Sequence, residues 1–149
     1  MASRAIFLHG RRIPRSSADI DLLVVASSGV WIVDSKHWSG RVERRNVGGW
    51  FRTDLRLFVG GRDRSKTVDG MDRQMQAIRD AWAIPGVPVT PVLCFVDTDW
   101  GLFPKSFTFQ GVWVTWAQHL AELILRVHAY DRSDVENMAT VVAARLRAM

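Results

Sequence analysis

The runs Ile20–Ala26 and Val30–Lys36 read as the two arms of a β-hairpin about Ser27-Ser28-Gly29. An acid sits at the far end of each apolar arm, Asp21 on the first and Asp34 on the second, and Lys36 follows two positions later. A charge in a buried strand costs several kcal/mol unless a partner offsets it. This hairpin therefore constrains the fold more than any other segment: its apolar residues need a core, and its charges need one another. Side chains alternate along a strand, so Asp34 and Lys36 share a face. A turn at Ser27-Ser28 pairs Ala26 with Gly29 and sets Asp21 opposite Asp34. A turn at Ser28-Gly29 sets Asp21 opposite Lys36 instead. Both registers put all three groups on one side, and a three-residue loop without a bulge breaks the arrangement.

Two adjacent carboxylates repel, and a divalent cation relieves the repulsion. Mg²⁺, or Mn²⁺ in its place, suits a sparse oxygen site because it keeps several waters and takes further oxygens from a substrate phosphate. A lysine beside such a site can orient or help deprotonate a water. The competing reading is a solvated ion pair at a strand end. Asp19 shares the strand face of Asp21 but lies nearer the strand mouth, and is the weaker candidate ligand.

The rest of the chain supplies a frame. Its 149 residues, 48% hydrophobic and 23% charged, fit one globular domain. Ala5–Leu8 reads as a short strand followed by a basic loop, His9–Ser17. Arg41–Arg45 and Gly49–Thr53 read as strands joined through Asn46–Gly49, and Leu55–Val59 as a further strand closed by Gly60-Gly61. A helix is expected from about Ser65 to Trp82, with Met71, Met75, Ile78 and Trp82 as its apolar stripe. Val89–Val96 and Phe109–Val114 read as buried strands. Thr115-Trp116-Ala117-Gln118 resembles a capping box before a helix whose stripe is Leu120, Leu123, Ile124 and Val127. Ser133-Asp134-Val135-Glu136 opens a last helix, with Val135, Met138, Val142 and Leu146 as its stripe. This order, β-rich and then alternating, predicts an α/β chain of the α+β kind, with a central mixed sheet flanked by helices.

At this point a resemblance enters. The block Arg12-Ile13-Pro14, Ile20-Asp21, Ser28-Gly29-Val30-Trp31-Ile32-Val33-Asp34-Ser35-Lys36 and Trp38-Ser39-Gly40 resembles the NERD (nuclease-related domain) family of the PD-(D/E)xK superfamily. Gly70–Gln74, Leu93–Asp97 and Gly111–Trp116 are similar to the same segments of bacterial members, so the likeness runs to about Leu125. It implies a restriction-endonuclease-like core over residues 1–149 and metal-dependent hydrolysis of phosphodiester bonds. It makes Asp21 and Asp34 metal ligands, although many relatives carry Glu at the second position, and Lys36 the catalytic lysine. Gln74 matches a helix glutamine of the family. It falls inside the Met71/Met75/Ile78 stripe, where it either contacts the site or makes a buried structural hydrogen bond. The family also implies a preceding helix with a glutamate; the sequence begins at about the following strand, so either its start is late or the group is lacking. The alternative is a catalytically inactive nucleic-acid-binding module on the same fold.

Charge and composition set the partner expectations. Residues 1–79 carry fifteen Lys and Arg against eight Asp and Glu, and residues 80–149 five against seven. The basic half suits a polyanion, which the resemblance makes DNA first and RNA second, or else forms a solvated face. Arg41, Arg44 and Arg45, which follow the hairpin directly, are the first candidates for phosphate contacts. Trp38 is either a base-stacking or a packing residue, and the other tryptophans are expected in core or rim. The single cysteine, Cys94, lies in an apolar run and is expected to be a buried thiol, which fits a reducing, cytoplasmic setting. No apolar run is long enough for a membrane span, so no membrane partner is expected.

Overall fold

In a computed structural model of the chain, the described residues are 5–13, 19–81 and 86–148. Strands β1 (Ala5–Arg12), β2 (Asp19–Ala26) and β3 (Gly29–Lys36) form an antiparallel meander. Ala26 pairs with Gly29 and Leu22 with Val33, which is the register of a two-residue turn at Ser27-Ser28. β1 is longer than the expected Ala5–Leu8, because His9, Arg11 and Arg12 continue the ladder against Leu22, Ile20 and Asp19. Residues 14–17 of the expected basic loop, and Trp82, lie outside the described residues.

Strands β4 (Val42–Asn46), β5 (Leu55–Val59) and β6 (Arg62–Asp63) make a separate three-stranded sheet. Helix α1 (Ser65–Ala81) leads to strand β7 (Val89–Phe95), the hairpin β8 (Phe107–Phe109) and β9 (Val112–Thr115), and helices α2 (Ala117–Arg126) and α3 (Arg132–Arg145). The main sheet has six strands in the order β1-β2-β3-β7-β9-β8. β7 runs parallel to both β3 and β9, and the other pairs are antiparallel. The architecture is α+β, a six-stranded mixed sheet with three helices, consistent with a restriction-endonuclease-like fold.

The alternation along the hairpin sorts its residues between two cores. Leu23, Val25, Val30 and Ile32 pack with Met75 and Ile78 of α1 and with Val135, Met138 and Val142 of α3. Val24, Ala26, Trp31 and Val33 pack with Leu120, Leu123 and Ile124 of α2. A third cluster joins Val42, Leu57 and Val59 of the small sheet to Val68 and Met71 of α1 and to Leu93 and Phe95 of β7. The turn serines are clamped to the end of α2. Ser27 Oγ donates to the Val127 carbonyl (3.1 Å) and Ser28 Oγ to that of Ile124 (2.6 Å), carbonyls that the helix leaves without intrahelical partners.

Four local expectations are corrected. Gly49–Thr53 is a loop rather than a strand, since Val42 pairs with Val59 and the ladder closes at Asn46–Leu55. Phe109–Val114 is interrupted by a turn at Gln110-Gly111, so Phe109 pairs with Val112. Thr115 gives no cap to α2; the N-cap is Trp116, with no side-chain bond, because Thr115 Oγ1 is used on Ser106, and Val127 is exposed past the helix end. The capping box of α3 is Asp131 with Asp134, and it starts the helix at Arg132 ahead of Ser133.

The small sheet meets the main body where backbone crosses backbone. A Cβ placed on Gly40 (φ +104°) would lie 2.4 Å from Gly60 Cα, and one on Gly60 (φ +60°) would lie 2.5 Å from the Ser39 carbonyl oxygen. Gly61 has a left-handed φ of +79° but open space around it. Gly40→Ala is therefore expected to lose at least about 2 kcal/mol, from backbone strain and steric conflict together. Gly61→Ala should lose only about 1 kcal/mol from strain alone. Urea midpoints of the two variants check this, and equal losses would remove the close crossing as a constraint.

Candidate active site

The ladder between β2 and β3 ends at Leu22–Val33, one pair short of the acids. Continuation of the same register sets Asp21 beside Asp34. Gly10, which falls opposite Asp21 in the β1–β2 register, has a left-handed φ of +54° and no side chain to cover it. The result is a polar cleft of about 210 Å³ lined by Asp19, Asp21, Asp34, Lys36 and Gln74, over a floor of Ile20, Ile32 and Val33. The structure thus brings together Asp21, Asp34, Lys36 and Gln74, which the sequence nominated, and puts Asp19 among them.

Asp34 and Lys36 form an ion pair, with Nζ 3.4 Å from Oδ2. Asp34 is the more enclosed of the two, its side chain 19% exposed against 32% for Lys36. Burial pushes the Asp34 carboxyl above its ordinary value; Lys36 pulls it down, and the neighbouring Asp21 carboxyl pushes it up again through charge and a side-chain hydrogen bond. The end of β3 is fixed from β7, where the Val96 N–H donates to the Lys36 carbonyl at 2.9 Å. Gln74, half-buried on α1, donates from Nε2 to the Asp19 carbonyl at 3.3 Å. This bond is to the backbone, and the Gln74 side chain that makes it lines the cleft.

The donors suit a hard divalent cation. Two carboxylates are forced together, one of them desolvated and raised in pKa, and a bound cation would favour the charged form of both. Asp21 and Asp34 are the residues that would hold it. Among the described residues no cluster of three or more His, Cys, Asp and Glu side chains is arranged to hold a metal. Further ligands would therefore come from solvent, backbone or substrate oxygens.

The cationic candidates stand on the small sheet. Arg44 donates to the Thr108 carbonyl at 3.1 Å and lies over the Phe107 ring, at 5.4 Å. Arg45 pairs with Glu43 and lies over Phe58, at 4.7 Å. Arg41 lies 3.8 Å from Glu43. Trp38 is half-buried against Phe95, with the Arg64 guanidinium 4.3 Å from its ring centre and Lys36 Nζ at 5.8 Å. Trp38 thus packs on one neighbour and is flanked by two cations. A larger groove of about 450 Å³ lies across the sheet beneath α2, but its lining is apolar, and Cys94 is the only titratable group in it. Burial raises that thiol's pKa and keeps it unreactive.

Asp19, the weaker candidate ligand, lines the same cleft, and its backbone carbonyl takes the Gln74 bond. Trp50 departs from the expected core or rim placement and is fully exposed. The signal was Gly48-Gly49 directly before the aromatic pair, which marks a loop tip.

The model of the family described as nuclease-related domain (NERD) matches residues 2–96, more than half of the chain. No curated protein and no solved structure matches.

The raised Asp34 carboxyl sets a pH dependence. Its folded-state pKa lies above the unfolded value, so the folded form binds more protons between the two. Stability from this group is complete below the ordinary carboxylate value and falls as pH rises through the raised one. In EDTA, Asp34→Asn should raise the thermal midpoint at neutral pH, and the gain should vanish in acid. Added Mg²⁺ or Mn²⁺ should raise the midpoint of the parent chain and leave that of the variant unmoved. Thermal scans across pH check both, and a variant less stable at neutral pH would contradict the assignment of strain to Asp34.

Proposed function

The chain belongs to the nuclease-related domain (NERD) family, and on that premise we propose that its cleft hydrolyses phosphodiester bonds in DNA with a divalent cation. The observation that carries this reading is the convergence of Asp21, Asp34, Lys36 and Gln74 on one polar cleft. When bound, Mg²⁺ or Mn²⁺ would supply charge neutralisation and Lewis-acid polarisation of the phosphate. Asp21 and Asp34 would hold the cation. Lys36, paired with Asp34, positions the attacking water and faces the negative charge that develops on the phosphate oxygens. Gln74 fixes the Asp19 backbone and so the start of the strand that bears Asp21. Arg41, Arg44 and Arg45 contact phosphates away from the reacting centre, which gives affinity without sequence preference.

A second reading, a nucleic-acid-binding module without turnover, is favoured by the separation of charge from cleft. The basic residues of the small sheet do not depend on the two carboxylates and would bind a polyanion even if the cleft were inert.

Cleavage of plasmid and single-stranded DNA in Mg²⁺ or Mn²⁺ decides between the two. Asp34→Ala and Lys36→Ala are each expected to lower the rate by about 10²–10⁴-fold, and Gln74→Ala by about tenfold, as for a residue acting through outer-shell contacts. Equal cleavage by all preparations would assign the activity to a contaminant. Metal-independent DNA binding with no cleavage by the parent chain would establish the second reading.

A further inference from the structure

The β4–β5 arm, together with β6 and the first turn of α1, concentrates the chain's positive charge, and the arm ends in two bare aromatic rings. From Arg41 to Lys66 there are eight Lys and Arg against three Asp and Glu, a surplus equal to the +5 of the whole chain. At the tip, Trp50 and Phe51 are 99% and 103% exposed, followed by the exposed Arg52. Single exposed apolar residues are ordinary, but adjacent large aromatics with no contact on either face mark a binding surface.

The loop that carries them is strapped at its neck. Asn46 Oδ1 accepts from the Gly48 N–H at 3.0 Å and from the Asp54 N–H at 2.9 Å, and the Val47 N–H donates to the Asp54 carbonyl at 2.8 Å. A Cβ on Gly48 would lie 2.3 Å from the Arg52 carbonyl oxygen, so the backbone folds back on itself and only glycine fits. The two rings are thus held outward on a short, closed support, which lowers the ordering cost of using them.

We propose that Trp50 and Phe51 form a base-stacking tip for unpaired nucleic-acid strand, with the arginines of the arm following its phosphates. Aromatic faces stack on any base, and a cationic track beside them is the general design for binding a single strand. Seven of the eight cations are arginine, whose planar fork matches phosphate oxygens and stacks on rings. The identity of the partner rests on the nucleic-acid reading above, but the tip does not require cleavage.

The test is fluorescence anisotropy of labelled oligothymidylate in EDTA, in the Asp34→Asn chain so that the strand stays intact. The double variant Trp50→Ala/Phe51→Ala changes only solvent-exposed side chains and should fold as the parent does. It should bind about 10- to 100-fold more weakly, with an unchanged slope of log Kd against log salt, because no phosphate contact is removed. Trp50→Phe should keep most of the affinity. Unchanged affinity in the double variant would overturn the tip alone. Loss of binding to phosphatidylserine vesicles with DNA binding intact would also overturn it, in favour of a membrane surface. A parent chain that binds no oligonucleotide at low salt would overturn the nucleic-acid reading and the tip together.

Discussion

The cleft acids meet because the hairpin turn holds two residues, and the serines that make it are held from outside. Ser27 and Ser28 bond the open carbonyls at the end of α2, and the Ala129 and Tyr130 amides return bonds to the Ser27 carbonyl. Each such bond contributes only about 1 kcal/mol net. The larger penalty on slippage comes from the core, since a one-residue shift would turn Leu23, Val25 and Ile32 toward the wrong layer. The burial of that apolar face offsets the unfavourable crowding of Asp21 and Asp34 at the open end of the same strands. A local conflict between like charges persists where the surrounding packing allows no retreat.

Helix α1 joins the two halves of the molecule. Met71 packs in the cluster that roots the small sheet, and Met75 in the cluster behind the hairpin. Gln74 lies between them in sequence and faces the cleft. Its position in an otherwise apolar stripe follows from this geometry: the stripe crosses from one core to the other, and the cleft opens at the crossing. The glutamine finds its partner in the Asp19 carbonyl.

Much of this was legible in the sequence where one periodicity dominated. The alternation of the hairpin left two registers open, both with Asp21, Asp34 and Lys36 on one face, and the structure takes the one that pairs Ala26 with Gly29. The stripes of α1 and α3 were read correctly at Met71, Met75, Ile78, Val135, Met138, Val142 and Leu146, all of them buried. The misreadings fall where local propensity and tertiary pairing disagree. Trp50-Phe51-Arg52-Thr53 has strand-like composition, yet the partner for β4 lies further on, at Leu55–Val59. Thr115 stands at a good capping position, but its hydroxyl is drawn into a side-chain network with Ser106 and His119. The enclosure of Asp34 and the openness left by Gly10 beside Asp21 depend on three strands at once, and no spacing within one segment reports them.

The small sheet has its own ladder and meets the body at the close crossing of Gly40 and Gly60 and through Val42, Leu57 and Val59, which leaves the loop between β4 and β5 at its outer end. Changes at the outer end of that unit are insulated from the cleft by its whole length of paired backbone. What the loop tip presents can therefore be altered without altering what sits between Asp21 and Asp34, much as a tool takes a new bit in an unchanged chuck.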